Sequence, residues 1–519
     1  MKTASVMLCV LVLCAGLAAQ APRPSVTTEA GALEGLLDPA TQVAVFKGVP
    51  FAAPPVGELR WREPQPVAPW SGIRDAGRFG PSPMQRVHGD FLPWTLEYLV
   101  QNEVGEDSLY LNVWTPRAEA GAKLPVVVYI PGGAFTEGSG AIPIYDGARL
   151  AARGLVVVTI NYRLGIFGFF SHPELTAESP HHSSGNYGLL DQLAALGWVQ
   201  CNIGAFGGDP SRVTVWGQSA GAFSVGALLA SPRAKGLFQR ALAGSGLSVA
   251  ARPMQDRAAA EREGARFAAE RGVADLKALR ALPAVDLVGT GGFRPIVDGW
   301  LLNDTPTAGN AAGAGLDVPV MTGFMANDPL LSLPTLSSAE AYEGHLRQVF
   351  GVAAQRFREL YPAGDLETMR RVLLESARDR QRVAGFLWAR QRVRAGQSPV
   401  YTYHFERAVP WPEHPEYGAF HSGELPYFFD NLGVLARPWT PVDRELADLV
   451  VGYLERFAST GNPNRPGAPA WAPVDGATPQ TQQLGERVQP MALCSPERLE
   501  FWRGQLDAAP GSIGGSAGK

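Results

Sequence analysis

Short runs of almost uninterrupted apolar residues constrain this chain most. They are residues 109–114 (LYLNVW), 126–130 (VVVYI), 155–160 (LVVVTI), 213–216 (VTVW) and 319–322 (PVMT). A strand with one face in water alternates apolar and polar side chains. Near-continuous runs suit strands covered on both faces, as in a largely parallel sheet flanked by helices. Residues 189–199 carry apolar side chains at helical spacing and precede the 213–216 run. Strands alternating with helices predict an α/β fold. Two further stretches, 258–287 and 366–395, read as helical. Neither is followed promptly by a strong strand, which predicts a helical cap or side region. Residues 446–457 repeat at amphipathic spacing, and Gly461-Asn462-Pro463 ends that helix.

The chain has 519 residues, 46% of them hydrophobic, enough for a large core. No internal repeat and no Pro/Gly/Ser linker divides it. We therefore expect one domain over residues 21–506, with a flexible Gly/Ser/Ala-rich tail over 507–519. Residues 1–20 place one lysine before an apolar run and then small residues near Ala19 and Ala21. That pattern predicts a cleaved secretory signal and a secreted or periplasmic protein; the run is short for a membrane anchor. A formal charge of −4 without a long basic run argues against nucleic acid as a partner. Cys9 and Cys14 would leave with the signal. Cys201 and Cys494 remain, and two cysteines make no disulfide framework.

The 213–216 run leads into Gly217-Gln218-Ser219-Ala220-Gly221, a G-x-S-x-G pattern. The tail matches the same pattern around Ser516, so the pattern alone decides little. Around Ser219, a strand precedes and a helix-compatible run follows, the context of a strained turn that exposes a nucleophile. A serine hydroxyl also needs a base, a group to orient that base, and donors for the oxyanion. Residues 126–130 run into Pro131-Gly132-Gly133-Ala134-Phe135. There the N–H groups of Gly133 and Ala134, with that of Ala220, would make three donors. His421 lies in a loop of small residues C-terminal to the serine. Asp328 follows the 319–322 run, with Asp298 as its rival. Each feature has a plainer reading: a glycine turn, a solvated loop histidine, a turn or cap aspartate. Together they keep the order serine, acid, histidine of α/β-hydrolases.

These residues resemble the type B carboxylesterase and cholinesterase family, and within it the para-nitrobenzyl-esterase-like bacterial carboxylesterases. The similarity runs from about Val45 to Trp502 through FKGVPFAAPPVGELRW, GEDSLYLNVWTP, PGGAFTEGSG, INYRLGIFGF, VTVWGQSAG, RPIVDG and HSGELPYFF. It implies an α/β-hydrolase fold, with a mostly parallel sheet, flanking helices and helical cap insertions. It also implies hydrolysis of small-molecule carboxylic esters with no cofactor and no metal. Carried over by position, Ser219 is the nucleophile, His421 the base and Asp328 the acid. Gly133, Ala134 and Ala220 are the oxyanion donors. Gln218, Phe135 and Trp94 are candidate pocket residues, and residues 84–105 and the 330s are expected to line the approach.

The chain departs from the family pattern at several positions. Asp328 stands where glutamate is commoner, so its loop must sit closer to the histidine. Pro131 replaces the usual His or Tyr and stiffens the donor loop. The family's early disulfide is missing, because its positions hold Pro83 or Met84 and Ser108. Gln218 replaces a glutamate. The alternatives to a general carboxylesterase are a specialised esterase for a bulky xenobiotic or toxin ester, and a non-catalytic binding module of the same fold. The neutral amide at Gln218 generates a prediction. A choline ester and its isosteric neutral ester should be hydrolysed with similar kcat/KM, and a strong choline preference would refute the idea.

Overall fold

A computed structural model describes residues 23–251, 253–273 and 275–508. The expected signal segment and residues 509–519, with Ser516, lie outside the described residues. The last helix, Pro496–Ala508, runs two residues past the expected end of the domain.

The apolar runs become strands of one large sheet. Its strands in chain order are β1 (Leu36–Leu37), β2 (Ala44–Pro50), β3 (Tyr110–Thr115), β4 (Leu124–Ile130), β5 (Val156–Ile160) and β6 (Gly208–Gln218). They continue with β7 (Arg240–Gly244), β8 (Val320–Met325), β9 (Val400–Phe405), β10 (Gln480–Leu484) and β11 (Val488–Ala492). Across the sheet the order is β11-β10-β9-β8-β7-β6-β4-β5-β3-β2-β1. The strands from β5 through β10 pair in parallel. The outer pairs on both sides are antiparallel.

The register explains why the runs are apolar throughout. In β4, Val126, Val128 and Ile130 pack into one core cluster, while Val127 and Tyr129 pack into the other. β5 and β6 divide in the same way: Val156, Val158, Val213 and Val215 face one side, Val157 and Trp216 the opposite side. Both faces are covered, so alternation disappears from the sequence. β3 shares this double burial although its partners are antiparallel.

Helix α1 (Tyr187–Asn202) and helix α2 (Ala220–Ala230) flank β6 in sequence. The predicted helix over 258–287 is three pieces: α3 (Arg257–Glu270), Leu276–Ala281 and Ala284–Leu287. Gly272, at φ 64°, and Pro283 separate them. The stretch 366–395 forms α4 (Leu366–Ala395), opened by an Asp365–Thr368 capping box. Its expected role needs correction. β9 follows it directly, and α4 packs on β8 and β9 rather than standing apart as a cap. The stretch 400–405 (VYTYHF) reads as a strand, but Thr402 and His404 interrupt its apolar run, so it does not stand out as a strong strand following α4. Helix α5 (Pro441–Thr460) ends at Gly461 in the left-handed region, as the sequence predicts. Cys201 and Cys494 are not bonded to each other.

One buried ion pair ties α1 to the sheet. Arg163, just after β5, grips Asp191 of α1 through Nε and Nη2 at 2.8 and 2.7 Å, and both side chains are buried. The Arg163 N–H also donates to Asp191, and Nη1 donates to the Arg62 carbonyl. Removing one partner strands the other charge in the interior. Asp191→Ala should therefore lower the unfolding free energy by about 3–5 kcal/mol, read as a lower urea midpoint. A midpoint equal to that of the native protein would refute this account.

Candidate active site

Ser219 sits at φ 56° and ψ −123°, directly between β6 and α2. Its backbone N–H donates to the Gly244 carbonyl at 2.9 Å, and its own carbonyl accepts from Phe223 at 3.0 Å. The side chain does not cap α2 and makes no hydrogen bond to the His421 ring among the described residues. Neighbouring glycines permit this turn. A Cβ on Gly221 would lie 2.0 Å from the Ile130 carbonyl oxygen, so α2 begins in direct contact with the end of β4.

That contact brings the donor loop alongside. A Cβ on Gly132 would meet the Gln218 carbonyl at 2.7 Å and the Ser219 Cβ at 3.2 Å. Gly133, Ala134 and Phe135 all have positive φ. Among the described residues, no hydrogen bond takes up the N–H of Gly133 or Ala134. Ala220 is the first residue of α2, where an N–H has no intrahelical acceptor. The loop is braced from behind: Tyr162 Oη donates to the Pro131 carbonyl at 2.9 Å, and Arg294 Nη1 donates to the Ala134 carbonyl at 3.3 Å.

The acid and the histidine meet beside this turn. His421 Nδ1 and Asp328 Oδ1 are 2.6 Å apart. The other oxygen of Asp328 accepts from Ser245 Oγ at 2.7 Å, the Met325 N–H at 2.9 Å and Gln381 Nε2 at 3.2 Å. Three donors thus hold the oxygen that the ring does not use. Asn327 draws the two loops together. Its N–H donates to the Ala419 carbonyl at 3.0 Å and its Nδ2 to the Tyr417 carbonyl at 2.8 Å. The shorter aspartate thus reaches the ring. Asp298, the rival acid, instead accepts from Ser183 and from the N–H groups of Trp300, Leu301 and Leu302, as a turn residue does.

Two cavities meet at Ser219, and both are lined by Ser219, His421, Ala134 and Leu331. The smaller, about 310 Å³, includes Trp94, Tyr98, Tyr145 and Gln218. The larger, about 920 Å³, includes Phe135, Phe223, Leu247, Trp388 and Arg390. The expected approach residues therefore line the site: several from 85–100, together with Leu331 and Ser332. The Trp94 ring stands edge-on to His421 at 6.4 Å, and Phe135 packs edge-on against Phe169 at 5.3 Å. His404 is buried in β9, where neither ring nitrogen makes a hydrogen bond; burial and the charges of Arg382 and Arg378 keep it neutral.

The sequence reading missed Ser245, Gln381 and Glu424. Ser245, between two glycines after β7, carried the only local signal. Glu424 is buried three residues beyond His421, and its Oε2 has no hydrogen-bond partner. Burial, and then the nearby Asp328 charge, push its carboxyl well above the ordinary 4.5. Glu424 is neutral in the fold but ionises in the unfolded chain. Its stabilising contribution is therefore full below about pH 4.5 and lost as pH rises toward the folded value. Glu424→Gln should melt at a higher temperature than the native protein at pH 8, with the difference closing near pH 4. A difference independent of pH would refute the neutral carboxyl.

Comparison with known proteins places the chain in one family. The model of the family described as "Carboxylesterase family" matches residues 22–502. The chain is 39% identical over 438 residues to the fumonisin B1 esterase of Sphingopyxis macrogoltabida, covering 80% of this chain and 77% of that protein. It is 37% identical over 469 residues to the para-nitrobenzyl esterase of Bacillus subtilis (strain 168), covering 85% and 90%. It is 33% identical over 508 residues to the human cocaine esterase, covering 89% and 87%.

Proposed function

We propose that Ser219, His421 and Asp328 carry out ester hydrolysis in this chain, which belongs to the carboxylesterase family and is a serine carboxylic ester hydrolase. The observation that carries the assignment is the 2.6 Å Asp328–His421 contact beside a serine in a strained turn that both cavities share.

In this reading Ser219 Oγ attacks the ester carbonyl carbon while His421 Nε2 takes the hydroxyl proton. The carbonyl oxygen becomes an oxyanion held by the N–H groups of Gly133, Ala134 and Ala220, each contributing about 2.7–4 kcal/mol to the transition state. Asp328 orients the ring and stabilises the imidazolium. The C–O bond to the alcohol breaks, and His421 returns its proton to the leaving oxygen. Water then attacks the acyl-serine with His421 again as base, releasing the acid and restoring Ser219.

The unequal cavities favour esters with one bulky apolar part, in line with a specialised esterase for a large substrate. Phe223, Leu247 and Trp388 supply an apolar wall on the larger side. We further propose export by the N-terminal segment, on the strength of its lysine, apolar run and small residues.

A fluorophosphonate probe tests these readings together. It should label the native protein and not Ser219→Ala, and the labelled chain should be found in the periplasm or medium with its start near Ala19 to Ala21. Among nitrophenyl esters, kcat/KM should rise with acyl length beyond the shortest. A native protein that resists the probe would favour the binding module. A labelled chain retained inside the cell with an intact start would refute export.

A further inference from the structure

The hydrogen bond at His421 Nε2 comes from Gln218, not from the serine. Gln218 Nε2 lies 3.2 Å from it, while Gln218 Oε1 accepts from Ser422 Oγ at 3.1 Å. The Asp328 carboxylate accepts from the ring, so the ring proton sits on Nδ1 and Nε2 is left as an acceptor. The amide then presents its NH₂ group to Nε2 and its oxygen to the Ser422 hydroxyl, which donates to it. The Nε2 lone pair is the basic site of this tautomer, and at rest Gln218 is the group that donates to it.

The amide lies in a crowded polar pocket. A Cβ on Gly244 would lie 3.1 Å from Glu424 Oε1, 3.2 Å from Tyr403 Oη and 3.6 Å from Gln218 Cγ. The glycine thus lets three side chains share one space. Facing the ring and the amide are Asp328 beyond β8, Glu424 on the histidine loop and Tyr403 on β9. Across the smaller cavity stand Tyr98 and Tyr145, with Arg86 and the His88–Glu137 pair at its rim. Burial raises the tyrosines, and burial with the Asp328 charge raises Glu424, so none of these four is ionised near neutrality. Asp328 is left as the one carboxylate in hydrogen-bond contact with the ring.

We propose that Gln218 is a positioning residue: its carboxamide, oriented by Ser422, holds resting His421 as the Nδ1–H tautomer and keeps a second carboxylate away from the ring, so that the esterase stays active in mildly acidic medium. The proposal rests on the assignment of Ser219, His421 and Asp328 above. A donor facing Nε2 opposes protonation of the ring, whereas a carboxylate in that place would attract the proton and remove the base at higher pH.

The test is the pH profile of kcat/KM on a neutral nitrophenyl ester, using the full chain. In Gln218→Glu the acid limb should move up by about one pH unit, near tenfold less activity on the acid side, with a smaller loss on the alkaline plateau. The double variant Gln218→Glu/Glu424→Gln restores the number of carboxyl groups and guards against a folding defect; its limb should move the same way. Ser422→Ala leaves the amide unoriented without adding a carboxylate, and should move the limb up by less than Gln218→Glu does. Acid limbs that overlay the native profile in both glutamate variants, with fluorophosphonate labelling of Ser219 intact, would overturn the proposal. Full activity in Ser219→Ala would instead overturn the underlying assignment.

Discussion

The contact between the start of α2 and the end of β4 governs the site. Gly221 lies so close to the Ile130 carbonyl that a Cβ would stand 2.0 Å from the oxygen, and a Cβ on Gly217 would stand 2.2 Å from the Gly221 oxygen. A helix starting this close to two adjacent parallel strands forces Ser219 to φ 56°, a conformation that costs about 1–3 kcal/mol. Well-packed strands hold it there: Val126, Val128, Val213 and Val215 are fully buried. Because β4 leads straight into the donor loop, the same contact sets the distance between Gly132 and Ser219. The Ser219 turn and the 131–135 loop are one packing unit.

The second half of the site is held by hydrogen bonds rather than by packing. His421 and Asp328 come from loops beyond different strands, and Asn327 joins those loops through two backbone carbonyls. Ser245, Met325 and Gln381 saturate the Asp328 oxygen that the ring does not use. Gln381 ties α4 to Asp328, so a helix read from sequence as peripheral is part of that carboxylate's support. In a low-dielectric interior such hydrogen bonds are strong and fix geometry. Gln381 Oε1 and Glu424 Oε2 lie buried beside them without partners.

What was legible in the sequence follows from this division. The strands were readable because double burial erases alternation, and the turn around Ser219 because glycines are needed within two residues of it. The loops of His421 and Asp328 were readable from their order in the chain and from family resemblance. Ser245, Gln381 and Glu424 were not, since their roles arise from contacts over long sequence separations and a helix-interior glutamine carries no local mark. Local sequence left Asp328 and Asp298 alike, since both follow apolar runs, and resemblance chose Asp328; in the fold Asp298 has three successive backbone N–H groups turned onto one oxygen. β9 was obscured as a partner for α4 because Thr402 and His404 lie in the sheet interior.

The two cavities divide the site by chemistry as well as by size. On the smaller side, Gln218, Ser422 and His421 interlock, so each position is fixed by at least one hydrogen bond. A substitution there disturbs the base along with the pocket. On the larger side the wall is built from Phe223, Leu247 and Trp388, whose contacts are apolar and lack such directionality. Apolar packing tolerates exchange of shape at modest cost, whereas a half-satisfied buried network does not. The freedom to change cavity shape therefore lies on the larger side, and the constraint on the His421 ring lies on the smaller one. Ser219 stands on the boundary, where its strained turn keeps the hydroxyl accessible to both.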